Sequence, residues 1–115
     1  MALKIYHNPR CSKSRQTLAL LQENGHEPEI VEYLKDELTQ ADIKNILKML
    51  GMSTPRELMR KGEKIYKDLG LKSVENESAL IKAMAENPKL IERPIVVKDE
   101  KAAVGRPPES VLALF

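Results

Sequence analysis

Apolar residues switch between strand and helix spacing along the chain. Leu3 to Tyr6 reads as a short strand with Ile5 inward, and His7-Asn8-Pro9 breaks it. Leu18, Leu20 and Leu21 then form a helical stripe, with Ser12 or Ser14 as cap and Gly25 as stop. Glu29 to Tyr33 reads as a second strand, weighted by Ile30, Val31 and Tyr33. Strand, helix, strand is a βαβ unit, which implies parallel pairing and a right-handed crossover.

The middle of the chain keeps helical spacing. Thr39 opens a helix whose apolar positions Ile43, Ile46, Leu47 and Leu50 follow i, i+3, i+4, i+7, and Gly51 closes it. Ser53-Thr54-Pro55 is a second start, with Pro55 suited to a first turn. Leu80, Ile81 and Met84 mark a further helix before Asn87-Pro88. Residues from about 36 to 91 therefore read as a helical block inserted into an α/β frame.

Strand spacing returns at Pro94 to Val97, followed by a polar turn from Lys98 to Lys101 and a partner strand from Ala102 to Gly105. Pro107-Pro108-Glu109 opens a last short helix through Val111 and Leu112. The order βαβ, helical block, ββα predicts a single α/β domain over residues 1–115, a thioredoxin-like fold with a mixed four-stranded sheet.

Composition narrows the function. Net charge is +2 with acidic and basic residues interleaved, and only Tyr6, Tyr33, Tyr66 and Phe115 are aromatic. Nucleic-acid binding through clustered charge or stacking platforms is disfavoured. No stretch approaches the roughly 20 apolar residues of a membrane span, and the N-terminal residues do not read as a signal peptide. A single cysteine excludes an intrachain disulfide and fits a reducing cytoplasm. Cys11, His7 and His26 lack metal-motif spacing, so no metal is expected.

That cysteine is the chemical centre of the sequence. A lone cysteine is ordinarily a small buried hydrophobe. Cys11, however, lies where a strand gives way to a helix, and a helix N-terminus favours thiolate over thiol. Position 14 is serine, so no Cys-x-x-Cys partner exists and an oxidised Cys11 needs an external thiol. His7 can stabilise the thiolate as imidazolium or bond the loop backbone. Ser14 can donate to sulfur or cap the helix. Arg60, Arg93 and Arg106 each sit at the edge of an expected element, and guanidinium forks match oxyanions. Taken alone, each of them reads as a solvated surface charge. A Cys-x5-Arg phosphatase loop is absent, since Thr17 holds the sixth position after Cys11.

The segments YHNPRCSKSRQTL, ELMRKGEKIYKDLGL, ERPIVV and GRPPE, in this order, resemble the glutaredoxin-coupled arsenate reductases, especially their shorter relatives. The resemblance implies Cys11 as the nucleophile that attacks arsenate, supported by His7 and Ser14. It implies Arg60, Arg93 and Arg106 as oxyanion-binding residues. It also implies a Cys11–arsenate adduct attacked by glutathione as co-substrate, with glutaredoxin as partner and no bound cofactor, and Pro94 in cis. The characterised reductases usually carry a C-terminal extension past the last helix, and family members often have a neutral residue where this chain has Arg10.

Two other readings remain open at this level. Spx-type regulators of RNA polymerase resemble the same fold but sense redox through Cys-x-x-Cys, which this chain lacks. A thiol reductase acting on another oxyanion or on glutathione mixed disulfides would use the same residues.

Overall fold

The computed structural model describes residues 3–35 and 38–115. The chain divides into two compact units, one formed by Met1–Asp36 with Arg93–Phe115 and the other by Glu37–Glu92.

In the first unit, strand β1 (Leu3–Tyr6) leads into helix α1 (Ser12–Glu23), and strand β2 (Glu29–Val31) pairs parallel to β1. Strands β3 (Ile95–Lys98) and β4 (Lys101–Val104) form an antiparallel hairpin whose β3 pairs antiparallel to β1. The sheet order is β2-β1-β3-β4, the expected mixed, four-stranded thioredoxin-like arrangement. Ile5 and its cross-strand partner Val96 form the core with Leu21 and Val111, packed over by Leu3, Leu18, Ala103 and Leu114. Burying an aliphatic side chain of this kind stabilises by about 1.5–3 kcal/mol.

Register decides where function can sit. Tyr6 pairs with Val31 on one side and Ile95 on the other, while Ile95 pairs with Val104. One end of the sheet therefore gathers the last residues of β1, β2 and β4 and the first of β3. The segments holding Cys11, Tyr33, Arg93 and Arg106 all adjoin that end.

Several local expectations change. The N-cap of α1 is Cys11, not Ser12 or Ser14. The buried face of α1 is Ser14, Thr17 and Leu21, whereas Leu18 and Leu20 are only half-buried. Strand β2 stops at Val31 because a turn closes between Glu32 and Lys35, whose N–H donates to the Glu32 carbonyl at 2.9 Å. The β3–β4 turn contracts to Asp99 and Glu100, since Lys98 already pairs with Lys101. Asp99 accepts φ 55°, a conformation that short polar side chains tolerate. The last helix is a 3-10 segment, Pro108–Leu114, with proline at its first position. Both Arg93–Pro94 and Arg106–Pro107 are cis.

Among the described residues of the second unit the regular elements are helices, with one isolated bridge joining Met59 to Ile91. Helix α2 (Gln40–Leu50) opens with a capping box: Asp42 N–H donates to Thr39 Oγ1 at 3.1 Å, and Thr39 N–H to Asp42 Oδ2 at 2.9 Å. Gly51 ends it at φ 71°, as its position predicts. The Thr54–Pro55 start yields only a 3-10 turn, Pro55–Leu58, followed by α3 (Lys64–Asp68) and α4 (Glu77–Glu86). Arg56 knits these pieces by donating to the Tyr66 hydroxyl and to the carbonyls of Leu71 and Val74. Among the described residues, no helix is long and apolar enough to cross a membrane.

Candidate active site

Hydrogen bonds within residues 7–15 present Cys11 to the sheet end. His7 N–H donates to the Val31 carbonyl at 2.8 Å, extending β1 by one residue. Buried Asn8 then folds the loop. Its carbonyl accepts from Cys11 N–H, and its Oδ1 accepts from Arg10 N–H, both at 3.0 Å. Asn8 N–H donates to Ser14 Oγ at 3.0 Å. Cys11 is left in extended backbone, φ −91° and ψ 123°, at the head of α1.

The Cys11 side chain is half-buried and free of any disulfide. Burial pushes its thiol up. Hydrogen bonding from the Ser14 amide, the Arg93 guanidinium and the Lys13 amide, with the Arg93 charge, brings it below the ordinary 9.0. Cys11 makes no regular side-chain cap bond. The longer contacts of a sulfur acceptor carry the amide stabilisation instead. The thiolate is thus favoured by a helix terminus and an arginine acting together.

His7 and Ser14 are drawn together behind Cys11. Ser14 Oγ lies 2.6 Å from His7 Nδ1, and both side chains are buried. Burial pushes the His7 imidazole below 6.5, with Glu32 opposing and Arg15 adding to the drop. A neutral ring whose Nδ1 accepts from the Ser14 hydroxyl, while Oγ accepts from Asn8 N–H, satisfies all three groups. Of the roles open to each, the structure therefore favours loop-holding by a neutral His7 over an imidazolium facing the sulfur. Ser14 acts on Cys11 through its backbone N–H, its hydroxyl being engaged by His7.

Two of the three expected arginines meet the sulfur. Arg106 Nη2 lies 3.8 Å from Cys11 Sγ while its Nε donates to the Arg93 carbonyl at 2.9 Å. Burial pulls the Arg93 guanidinium's pKa down, and its interaction with Cys11 more than offsets this and raises it. Arg60 belongs to the second unit. There its Nε lies 3.3 Å from Glu63 Oε1 and its Nη1 3.5 Å from Glu92 Oε1, and it lines a surface cleft with Arg56 and Lys61. Arg10 is exposed.

Three further residues shape the site. Tyr33, only 1% exposed, is among the groups that raise the Arg93 guanidinium's pKa. Asn8 orders the loop. Gly105 has no room for a side chain, because a Cβ would sit 2.5 Å from Thr17 Oγ1 and 2.8 Å from Pro94 Cγ. Its N–H donates to the Pro94 carbonyl at 2.9 Å, which brings Arg106 alongside Arg93. Among the described residues, no group of three or more His, Cys, Asp or Glu side chains could hold a metal ion.

The ArsC family model matches residues 6–114, nearly the whole chain, including every residue of this site. This chain belongs to the ArsC family. An ArsC relative from Haemophilus influenzae, named arsenate reductase, is 45% identical over the whole of both chains. The Escherichia coli K12 protein YfgD is 59% identical over 97% of this chain and 95% of its own. The solved arsenate reductase of Vibrio cholerae superposes with a TM-score of 0.97 at 47% identity, covering 100% of this chain and 98% of that one. Fold and family therefore agree: the ArsC chain carries a thioredoxin-like sheet, and the segment holding Cys11 adjoins one end of it.

Proposed function

We propose that this ArsC protein is an arsenate reductase of the glutaredoxin-coupled type, with Cys11 as nucleophile. One observation carries the reading: a cysteine at a helix N-terminus, its thiol lowered by Arg93, has Arg106 Nη2 3.8 Å from its sulfur. A thiolate flanked by two guanidinium forks suits attack on a tetrahedral oxyanion, because the forks neutralise the incoming charge that would otherwise repel sulfur. Arsenate as that oxyanion is supported by the names of full-length relatives. Arg60 is assigned to the same anion on the strength of the LMRKG segment.

In the first step the Cys11 thiolate forms an S–As bond and a hydroxyl leaves arsenic as water. Glutathione then attacks the adduct. Cys11 and glutathione together give up two electrons, arsenic passes from the +5 to the +3 state, and arsenite leaves a Cys11–glutathione mixed disulfide. Glutaredoxin reduces this disulfide. The external thiol is called for by the sequence itself, since Cys11 is the only cysteine and cannot be resolved from within. The same dependence on reduced glutathione fits a cytoplasmic setting.

The test is NADPH oxidation coupled through glutathione reductase, with arsenate, glutathione and glutaredoxin, for the wild type and Cys11→Ser. Arsenate-dependent turnover in the wild type, falling by about 10³-fold or more in the variant while circular dichroism is unchanged, is the expected result. Full activity in Cys11→Ser excludes Cys11 as nucleophile. No turnover in the wild type, with Cys11 still reactive, excludes arsenate as substrate.

A further inference from the structure

A groove beside Cys11 has no part in the oxyanion chemistry. One wall is the outer face of α1, where Lys13, Gln16, Leu20 and Glu23 follow one another at helical spacing. The other is the Pro107-Pro108-Glu109 segment that opens the last 3-10 helix. Both walls belong to the first compact unit, and both begin near the sulfur. Lys13 lies two residues after Cys11, and Pro107 directly follows Arg106, whose Nη2 is 3.8 Å from Sγ. The groove holds about 520 Å³, within the roughly 300–1,000 Å³ of small-molecule sites.

Its lining has the make-up of such a site. Half-buried Leu20 and buried Pro108 supply apolar surface, and Lys13, Gln16 and Glu109 stand exposed around it. Among the described residues, none of these three side chains has a hydrogen-bond or ion-pair partner. Charge selects the occupant. Lys13 on one wall and Glu109 on the other offer a cation and an anion to the same molecule. An amino-acid head, with a carboxylate and an ammonium on one carbon, satisfies both at once. An inorganic oxyanion has no ammonium to set against Glu109. Glutathione carries such a head at its γ-glutamyl end, and Gln16 can serve its amides as donor and acceptor. A tripeptide extends to about 10 Å, so a head held by Lys13 leaves the thiol within reach of a sulfur two residues away.

We propose that this groove is the glutathione subsite: Lys13 takes the γ-glutamyl carboxylate, Glu109 takes its ammonium, and the thiol faces Cys11. The proposal rests on the glutathione-dependent reading of the site, but not on arsenate.

Thiol–disulfide exchange tests it with arsenate left out. The Cys11 thiolate attacks one sulfur of oxidised glutathione, a Cys11–glutathione disulfide forms, and the other glutathione leaves as thiolate. The rate constant is divided by that for bis(2-hydroxyethyl) disulfide, a neutral disulfide with nothing to offer Lys13 or Glu109. The ratio cancels any change in the pKa of the thiol itself. Lys13→Glu and Glu109→Lys should each lower the ratio by about tenfold, the loss of one charge-assisted contact. Glu109→Lys separates recognition from bulk attraction. Oxidised glutathione is net negative, so an added cation acting at a distance would raise the ratio. Arg10→Glu, at an exposed cation outside the groove lining, should change it by less than about twofold.

An unchanged or raised ratio in Glu109→Lys overturns the proposal. So does a fall in Arg10→Glu as large as that in Lys13→Glu. If Glu109→Lys unfolds by circular dichroism, Glu109→Gln is read by the same criteria. A wild type inactive on arsenate bears on the proposed function alone.

Discussion

Arg106 and Cys11 are 95 positions apart in the chain, yet the arginine Nη2 lies 3.8 Å from the sulfur while its Nε is tied to the Arg93 carbonyl at 2.9 Å. One guanidinium thus contacts the Cys11 sulfur with one nitrogen and the Arg93 backbone carbonyl with another. The planar fork makes both contacts possible at once, and a single ammonium could not reproduce them.

Arg106→Lys should therefore behave as a defective enzyme despite keeping its charge. The expected outcome is a rise in the KM for arsenate of about tenfold, the loss of one charge-assisted hydrogen bond. Steady-state kinetics in the coupled assay measures it.

Arg93→Ala should raise the Cys11 thiol pKa and weaken oxyanion binding by about 1.5–3 kcal/mol, as for a charge-assisted hydrogen bond. Alkylation at pH 6.5 to 8 reads the first effect, and arsenate protection against alkylation reads the second. Wild-type behaviour in both would remove Arg93 from the site.

His7 gives the protein an acid sensitivity of definite sign. Its folded pKa lies below the ordinary 6.5 because burial disfavours the cation. The unfolded chain then binds more protons than the folded one between the two values. Stability is full above 6.5 and falls as pH drops from 6.5 towards the folded pKa. Thermal unfolding from pH 7.5 to 5 should show a declining melting temperature whose slope in this window is shallower in His7→Gln.

Arg56 predicts a stability effect within the second unit. Its guanidinium satisfies the carbonyls of Leu71 and Val74 and the Tyr66 hydroxyl. Arg56→Met keeps the aliphatic stem but strands these acceptors, and should destabilise by about 2–3 kcal/mol. Urea denaturation checks this.

The legible and illegible parts of the sequence divide along physical lines. Capping at Thr39, the stop at Gly51 and the helical stripe of Ile43, Ile46 and Leu47 depend on neighbours within a turn or two, so local pattern suffices. The α/β order was legible for the same reason. The buried face of α1 was not, because Ser14 and Thr17 are inward polar residues held by His7 and by close packing at Gly105. Both partners are set by tertiary contacts. Cys11 stood out because it is the sole cysteine, at a strand-to-helix junction. Arg93 and Arg106 owed their prominence to motif resemblance, and their meeting at the sulfur needs the strand register. Tyr33 read as a strand residue; its influence on Arg93 becomes visible only once β2 ends at Val31.

The half-buried sulfhydryl of Cys11 also gives the molecule a covalent valence of one. Oxidation in air can join two copies through this atom but cannot build a trimer, a ladder or an internal loop, since each pairing consumes the only group able to pair. A non-reducing gel of the oxidised protein should therefore end at the two-chain band. Any larger disulfide-linked species would have to include a different protein.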